Sequence, residues 1–182
     1  MTHQLVVTAM GVDRPGIVSK LARQASDCDC DIVDSRMAIF GNEFTLIMLL
    51  EGSWSAITKI ESTIPSLSLE LELMTVVKRT SRHTPTSYSS RFQISFCGQD
   101  NRGTMKAITE FLAEKSMDLA TFGSHAEEDS NGKPYQQIDL AVNLPENLDI
   151  DSIEDEIQAF AESLDLSCTL RRMSDSNKQK EQ

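Results

Sequence analysis

Residues 11–32, GVDRPGIVSKLARQASDCDCDI, and residues 98–119, GQDNRGTMKAITEFLAEKSMDL, share one pattern of glycines, polar turn residues and helically spaced apolar residues. Gly16 of the first stretch aligns with Gly103 of the second. In both stretches a polar turn follows a short apolar run and precedes a helical pattern. Self-similarity of this kind indicates that one supersecondary unit occurs twice. The chain of 182 residues is therefore predicted to hold two copies of one small domain.

The first copy is predicted to open with a buried strand, an amphipathic helix and a β-hairpin. Residues 4–10 form a short apolar run that ends at the glycine-bounded turn, as is typical of a buried strand. Asp13 can serve as the N-cap of the following helix, and Pro15 suits its first turn. Residues 31–40 and 44–51 then predict two strands, because a Gly-Asn turn signal separates them.

A second helix and a last strand complete the first copy. Ser53 is typical of a helix N-cap, and apolar residues recur behind it at helical spacing. Pro65 lacks the N–H that a helix interior needs, so it predicts the end of this helix. Residues 67–78 begin with alternating leucines, which predicts a half-buried strand.

The order βαββαβ is that of the split βαβ, or ferredoxin-like, unit. The predicted fold class is α+β, with two tandem domains that each have a four-stranded antiparallel sheet and two helices on one face. We expect the first domain at residues 1–80, a Ser/Thr-rich linker at 81–90, the second domain at 91–173 and a disordered tail at 174–182.

The charge of the chain argues against a nucleic-acid partner. The formal net charge is −11, with 28 Asp and Glu residues against 17 Lys and Arg residues. Because nucleic-acid affinity comes largely from Lys and Arg that neutralise phosphates, direct DNA binding is not expected. The N-terminus lacks a signal-peptide pattern, and the longest apolar stretch, 46–50, is too short to span a bilayer. A cytoplasmic protein without membrane contact, with its four cysteines reduced, is expected.

The first glycine-bounded turn is the best candidate for a binding site. Free N–H groups at a helix start attract anions, and a glycine such as Gly16 leaves access to them. Asp13 could accept hydrogen bonds from an ammonium group, so that together they would hold both ends of a free amino acid. In the alternative interpretation, Asp13 only caps the helix and Gly16 only packs. A weaker candidate is the second copy of the turn, formed by Asp100, Asn101, Arg102 and Gly103.

No catalytic, metal or cofactor motif is evident. None of the three histidines has an obvious catalytic partner in the sequence, and neither glycine-bearing turn has the spacing of a nucleotide-binding loop. The Cys28-Asp29-Cys30 pair lacks further nearby ligands, so its thiols are interpreted as ordinary residues near a helix end. We therefore expect no enzyme activity, no metal and no cofactor.

The motif DRPGIV at residues 13–18, with DIVDSRMAIFGNEFTLIMLLEGSW at residues 31–54, resembles the ACT domain family. The resemblance covers nearly all of the chain and is strongest over residues 1–80. It implies that ACT domains pair side by side and that small ligands, often amino acids, bind near the loop after the first strand. By that resemblance, the ligand-binding positions are Asp13, Arg14, Pro15, Gly16, Ile17 and Val18.

Two functions follow from the resemblance as expectations. In the first, the chain is an amino-acid-responsive negative regulator of transcription of the glycine cleavage system. It would act by binding a LysR-type activator protein and would be relieved by glycine, and a homodimer is a further expectation. In the alternative, it binds an amino acid and regulates a metabolic enzyme in trans.

Overall fold

The chain divides into two compact units, residues 1–84 and residues 85–182. The computed structural model describes residues 2–81, 90–99, 101–128, 130–145 and 149–173. Most of the predicted linker, and all of the predicted tail, lie outside these described residues. No helix in the described ranges is long and apolar enough to cross a membrane.

The first unit has the predicted order βαββαβ. Its sheet has the strand order β2-β3-β1-β4, with every neighbouring pair antiparallel. Both crossovers run through helices, which lie on one face of the sheet. The elements are β1 (His3–Val12), α1 (Ile17–Asp27), β2 (Asp31–Phe40), β3 (Glu43–Gly52), α2 (Trp54–Leu71) and β4 (Met74–Thr80).

The core of the first unit lies between its helices and one face of its sheet. Val7 of β1 lies opposite Met48 of β3, and both side chains are buried. Residues two positions away along each strand are buried in the same way, because alternate side chains of a strand share a face. The helices contribute Ile17, Leu21, Ala25, Ala56, Ile57, Ile60, Ile64 and Leu71.

The second unit repeats this architecture, with the strand order β6-β7-β5-β8. Its core contains three side chains of β5 (Phe92, Ile94 and Phe96) packed with both helices. β5 begins at Ser90, one residue inside the predicted linker. The elements are β5 (Ser90–Gln99), α3 (Thr104–Glu114), β6 (Asp118–Glu128), β7 (Pro134–Leu144), α4 (Ile150–Ser163) and β8 (Leu166–Met173).

The two units share irregular backbone features as well as regular elements. The β2–β3 ladder shifts register between Ile32 and Asp34, and the β6–β7 ladder shifts between Leu119 and Thr121. Residues with positive φ also follow corresponding helices in both units: Asp29 and Glu72 in the first, Ser116 and Asp165 in the second. The predicted fold class, two tandem ferredoxin-like domains, is confirmed.

The predicted end of the second helix is wrong. α2 continues through Pro65 to Leu71, so the leucines from residue 67 onward begin as helix and not as strand. The missing N–H costs one helical hydrogen bond. The helix nevertheless continues, because the row of buried side chains along its inner face extends past Pro65: Ile64 and Leu71 both face the core. Ser68 lies between them, and its Oγ donates to the backbone oxygen of Ile64 at 2.7 Å.

Leu69 and Leu71 provide a direct test of this helix. The two residues would share a face of a strand but lie on different faces of a helix. Leu69 is 83% exposed and Leu71 is 5% exposed. Leu71→Ala should therefore lower the free energy of unfolding by about 2–4 kcal/mol, and Leu69→Ala should change it by less than about 0.5 kcal/mol.

Urea denaturation followed through Trp54 fluorescence measures this difference. Trp54 is the only tryptophan of the chain and lies at the start of α2, so its signal reports on the first unit. Equal losses of stability in the two variants would contradict the helical assignment of residues 67–71.

Candidate ligand site at the strand–helix loops

Gly16 occupies the N-cap of α1 in a left-handed conformation, with φ of 91° and ψ of −8°. A non-glycine residue is strained at this φ. A Cβ placed at Gly16 would meet no atom within 4 Å, so backbone conformation and not crowding explains the glycine. Among the described residues no side chain caps this helix start, and the N–H of Ile17 donates to the backbone oxygen of Arg14 at 3.4 Å. The next two N–H groups of the first turn, those of Val18 and Ser19, are therefore the ones open to a ligand.

Asp13 is not the N-cap that the sequence predicted. The helix begins four residues later, because the loop turns at Arg14–Gly16 before α1 starts at Ile17. The backbone N–H of Asp13 donates to the oxygen of Asn42 at 3.1 Å, which ties the loop to the β2–β3 turn. Its side chain is exposed.

Arg14 fastens the loop to the end of α2. Its guanidinium donates to the backbone oxygen of Leu71 and forms an ion pair with Glu72 at 3.2 Å. A cation is favourable there, since the C-terminus of a helix carries partial negative charge. The Arg14 side chain is thus committed to holding two elements together, a role that its sequence position did not reveal.

A cavity of about 180 Å³ opens beside this loop. Lys20 of α1 and Glu70 of α2, which both line it, form an ion pair at 2.8 Å. Four of the six predicted ligand positions line the cavity, whereas Asp13 and Val18 do not. The lining residues are Arg14, Pro15, Gly16, Ile17, Lys20, Glu70 and Leu71.

Three of these lining residues were missed by the sequence analysis. Lys20 lies one helical turn after Gly16, so helical spacing could have indicated it. Glu70 and Leu71 were hidden by the interpretation of Pro65 as a helix end, because only the extended α2 brings its last turn to the loop. The cavity therefore combines an uncapped helix start with one lysine and one carboxylate, which suits a zwitterion.

The second loop has the same backbone but different side chains. Gly103 is the N-cap of α3 with φ of 97°, and no side chain of the part of the chain that the structure describes caps it. The Oγ1 of Thr104 donates to the backbone oxygen of Asn101 at 2.9 Å, which closes the loop on itself. Asn101 and Arg102 are exposed, and Asp100 lies outside the described residues.

A buried amide marks a further difference close to the second loop. Gln136 of β7 lies opposite Gly98 of β5, the position that Phe44 holds opposite Gly11 in the first unit. Gln136 is 8% exposed; its Nε2 donates to Ser124, and its Oε1 has no hydrogen-bond partner within the described residues. Alignment of the repeats could have indicated this change from a large apolar to a polar core side chain.

The four cysteines of the chain are not part of the first loop or its cavity. Cys28 and Cys30 are buried, and burial is the main reason that the pKa of the Cys30 thiol is raised. Burial likewise raises the pKa of Cys168 from 9.0 to about 11, with the nearby Cys97 adding to the effect. Among the described residues, no group of three or more His, Cys, Asp and Glu side chains could hold a metal ion.

Two βαββαβ units, each with a glycine-capped helix after its first strand, define a tandem ferredoxin-like protein. Residues 3–78 match the model of the ACT domain. The chain belongs to the ACT domain family, alongside relatives named glycine cleavage system transcriptional repressor, and this membership gives it a regulatory role.

The relatives cover most of the chain. The glycine cleavage system transcriptional repressor of Escherichia coli (strain K12) is 37% identical over 163 residues, which are 89% of this chain and 86% of the relative. A crystal structure assigned to a repressor of the same name is 32% identical and superposes with a TM-score of 0.74 over 96% of this chain and 99% of its own. A structure from Galdieria sulphuraria, 20% identical, shares the fold over 96% of this chain and 100% of its own, with a TM-score of 0.75.

Substitution of Gly16 should reveal the cost of the left-handed conformation. Gly16→Ala is expected to lower the stability of the first unit by about 1–2 kcal/mol, whereas Gly16→Asn should cost less, because Asn tolerates this conformation better. Urea denaturation followed through Trp54 fluorescence gives both values. An alanine variant as stable as the parent would show that the φ of Gly16 is not needed in solution.

The raised pKa of Cys168 should make its thiol slow to alkylate. With a pKa of about 11, the thiolate fraction at pH 8 is roughly a hundredfold smaller than for a thiol of pKa 9.0. Mass spectrometry of the native protein after iodoacetamide treatment should show Cys168 modified more slowly than Cys97, which is also half-buried. The rate at Cys168 should rise about tenfold per pH unit between pH 8 and pH 10, and rapid modification at pH 8 would contradict the assignment.

Proposed function

We propose that this chain is an amino-acid-responsive negative regulator of transcription of the glycine cleavage system. It acts by binding a LysR-type activator protein, and glycine relieves the repression. The family membership and the shared name of relatives that align over most of the chain support this proposal. A regulator of this kind works in the cytoplasm and carries out no catalysis itself.

The cavity beside Gly16 is the observation that carries the proposal. A free amino acid presents a carboxylate and an ammonium group close together, and the cavity has groups for both. We assign the carboxylate to the first-turn N–H groups of α1 and to Lys20, since anions are favoured at a helix start. The ammonium group is assigned to Glu70, which lines the same cavity. Asp13 remains an alternative partner for the ammonium group from just outside the cavity lining.

The small size of the cavity favours a small amino acid. The cavity has a volume of about 180 Å³, and its lining includes Gly16, which has no side chain, and the compact ring of Pro15. A ligand there must compete with the ion pair between Lys20 and Glu70, which are both more than half exposed and so bound weakly to each other. Glycine satisfies the two charges and needs no side-chain pocket.

Ligand binding at this place can be coupled to partner binding through the two helices. Arg14 and the Lys20–Glu70 pair both join the start of α1 to the last turn of α2. A ligand that replaces the ion pair changes how these helix ends are held. If the activator protein prefers the ligand-free arrangement, glycine weakens the complex by the ratio of its affinities for the two arrangements.

The charge of the chain is consistent with regulation through a protein. With a net charge of −11, the chain is repelled by the phosphate backbone, so contact with a DNA-bound activator is a simpler route than contact with DNA. The alternative, regulation of a metabolic enzyme in trans, uses the same ligand site and differs only in the partner.

Calorimetric titration with glycine tests the ligand site, with alanine and serine for comparison. Gly16→Asn should raise the dissociation constant for glycine at least about tenfold, because the new side chain projects into the cavity while the left-handed conformation is tolerated. Gly103→Asn is the matched control, since that residue has the same conformation and the same open surroundings in the second unit. A loss of binding in the Gly103 variant alone would move the site to the second loop.

A pull-down with a purified LysR-type activator tests the partner. The chain should retain the activator without glycine and release it as glycine is added, and the Gly16→Asn variant should retain it at glycine concentrations that release the parent. Retention of a biosynthetic enzyme in place of the activator would favour regulation in trans.

A further inference from the structure

The outer face of the second sheet, on the side away from its helices, is polar across three strands. Ser95 of β5 lies directly opposite Asp139 of β7 and Thr169 of β8, so these three side chains share one face. Their neighbours Ile94 and Phe96 point to the opposite face, into the core.

The same row in the first unit is largely apolar. There Thr8 of β1 lies opposite Ile47 of β3 and Val76 of β4. An isoleucine and a valine of the first sheet thus correspond to an aspartate and a threonine of the second. Both sheets have the same strand order, so they differ here only in their side chains. The outer surface of the second sheet is therefore chemically different from that of the first.

The next row of the outer face shows a second change. In the first unit, Val6 lies opposite Leu49 and Lys78. In the second unit, Gln93 lies opposite Ala141 and Arg171. The alanine removes most of the volume of the corresponding leucine, which leaves room above the strand.

Two adjoining cavities of about 240 Å³ each lie on this face. Both are lined by Gln93, which places them side by side. The first is lined by Gln93, Ser95, Thr169 and Arg171. The second is lined by Arg91, Gln93, Thr121, Asp139, Leu140, Ala141 and Met173.

The first cavity has the cation Arg171 in its lining, and the second has the carboxylate of Asp139 together with Arg91, whose Nε donates to the Oδ1 of Asn143 at 2.8 Å. The carboxylate of Asp139 is held in place, since it accepts from the Oγ of Ser95 at 2.5 Å and from the Nε2 of Gln137 at 2.9 Å. The guanidinium of Arg171 is exposed and has no hydrogen-bond or ion-pair partner within the ranges that the structure describes. Arg172 differs, because it points to the other face and donates to the Oγ of Ser90 at 3.2 Å.

We propose that this outer face is a second amino-acid site, independent of the strand–helix loops. Arg171 and Thr169 bind the carboxylate of a free α-amino acid, and Asp139 binds its ammonium group. From the strand spacing, the Cα atoms of Arg171 and Asp139 are about 12 Å apart. The two side chains and a small zwitterion, with hydrogen bonds of about 2.9 Å at each end, can bridge that distance.

A zwitterion fits this face better than a simple anion. The net charge of −11 repels anions from the protein as a whole, and Asp139 repels them locally. A zwitterion gains at both ends, because Arg171 binds its carboxylate and Asp139 binds its ammonium group. The site therefore requires both charges on one ligand.

The test is an NMR titration of the full ¹⁵N-labelled chain with glycine, alanine and serine in turn. The amides of residues 93–95 and 169–171 should shift with at least one of the three amino acids. Sodium acetate and methylammonium chloride, which each carry one of the two charges, should shift these amides at least about tenfold more weakly. Shifts of the amides of residues 14–20 report on the loop site separately, so the proposal for one site can be rejected without rejecting the other.

Arg171→Met and Arg172→Met form a matched pair of variants. Arg171→Met should raise the dissociation constant at this face at least about tenfold, because a charge-assisted hydrogen bond is lost, and Arg172→Met should change it less than about twofold. Thr169→Val should also raise the dissociation constant at this face, but by less than Arg171→Met does. The proposal is overturned if none of the three amino acids shifts these amides, if acetate alone shifts them as strongly, or if the two arginine variants behave alike.

Discussion

Burial of one face of a four-stranded sheet beneath two helices is the constraint on which both units of this protein depend. The paired core positions Val7 and Met48 in the first unit, and Phe92 and Val142 in the second, show the same one-sided arrangement. Since alternate residues of each strand are committed to this core, the remaining residues of every strand are free to differ. The loops at the end of the sheet and its outer face are therefore where the two units acquire separate properties.

At the first loop, the proposed binding site is built from contacts that also hold the fold together. Gly16 gives α1 an uncapped start, and Arg14 ties that start to the last turn of α2. The same contacts that stabilise the unit thus surround the proposed amino-acid cavity. A ligand that competes with the Lys20–Glu70 pair acts on the junction between two helices. Ligand binding in the cavity can in this way change the affinity for a partner protein.

The two units share their backbone features but differ in their side chains. Left-handed glycines, register shifts and positive-φ residues after helices recur at corresponding places, because each is needed to close the same unit. Phe44 and Gln136 nevertheless occupy corresponding core positions, and Ile47 and Asp139 occupy corresponding outer positions. The second unit is more polar in both places, so the two units are suited to different contacts.

The sequence by itself determined the repeat, the element order and the fold class, and it singled out the Gly16 loop as the candidate site. Those features depend on local periodicity and on turn residues, which short stretches of chain carry. Tertiary structure alone decided that α2 continues through Pro65, since burial of Leu71 on the sheet outweighs one lost hydrogen bond. It also decided that Glu70 joins the cavity, and that Asp139 and Arg171 share a face, because strands distant in sequence meet only through the register of the folded sheet.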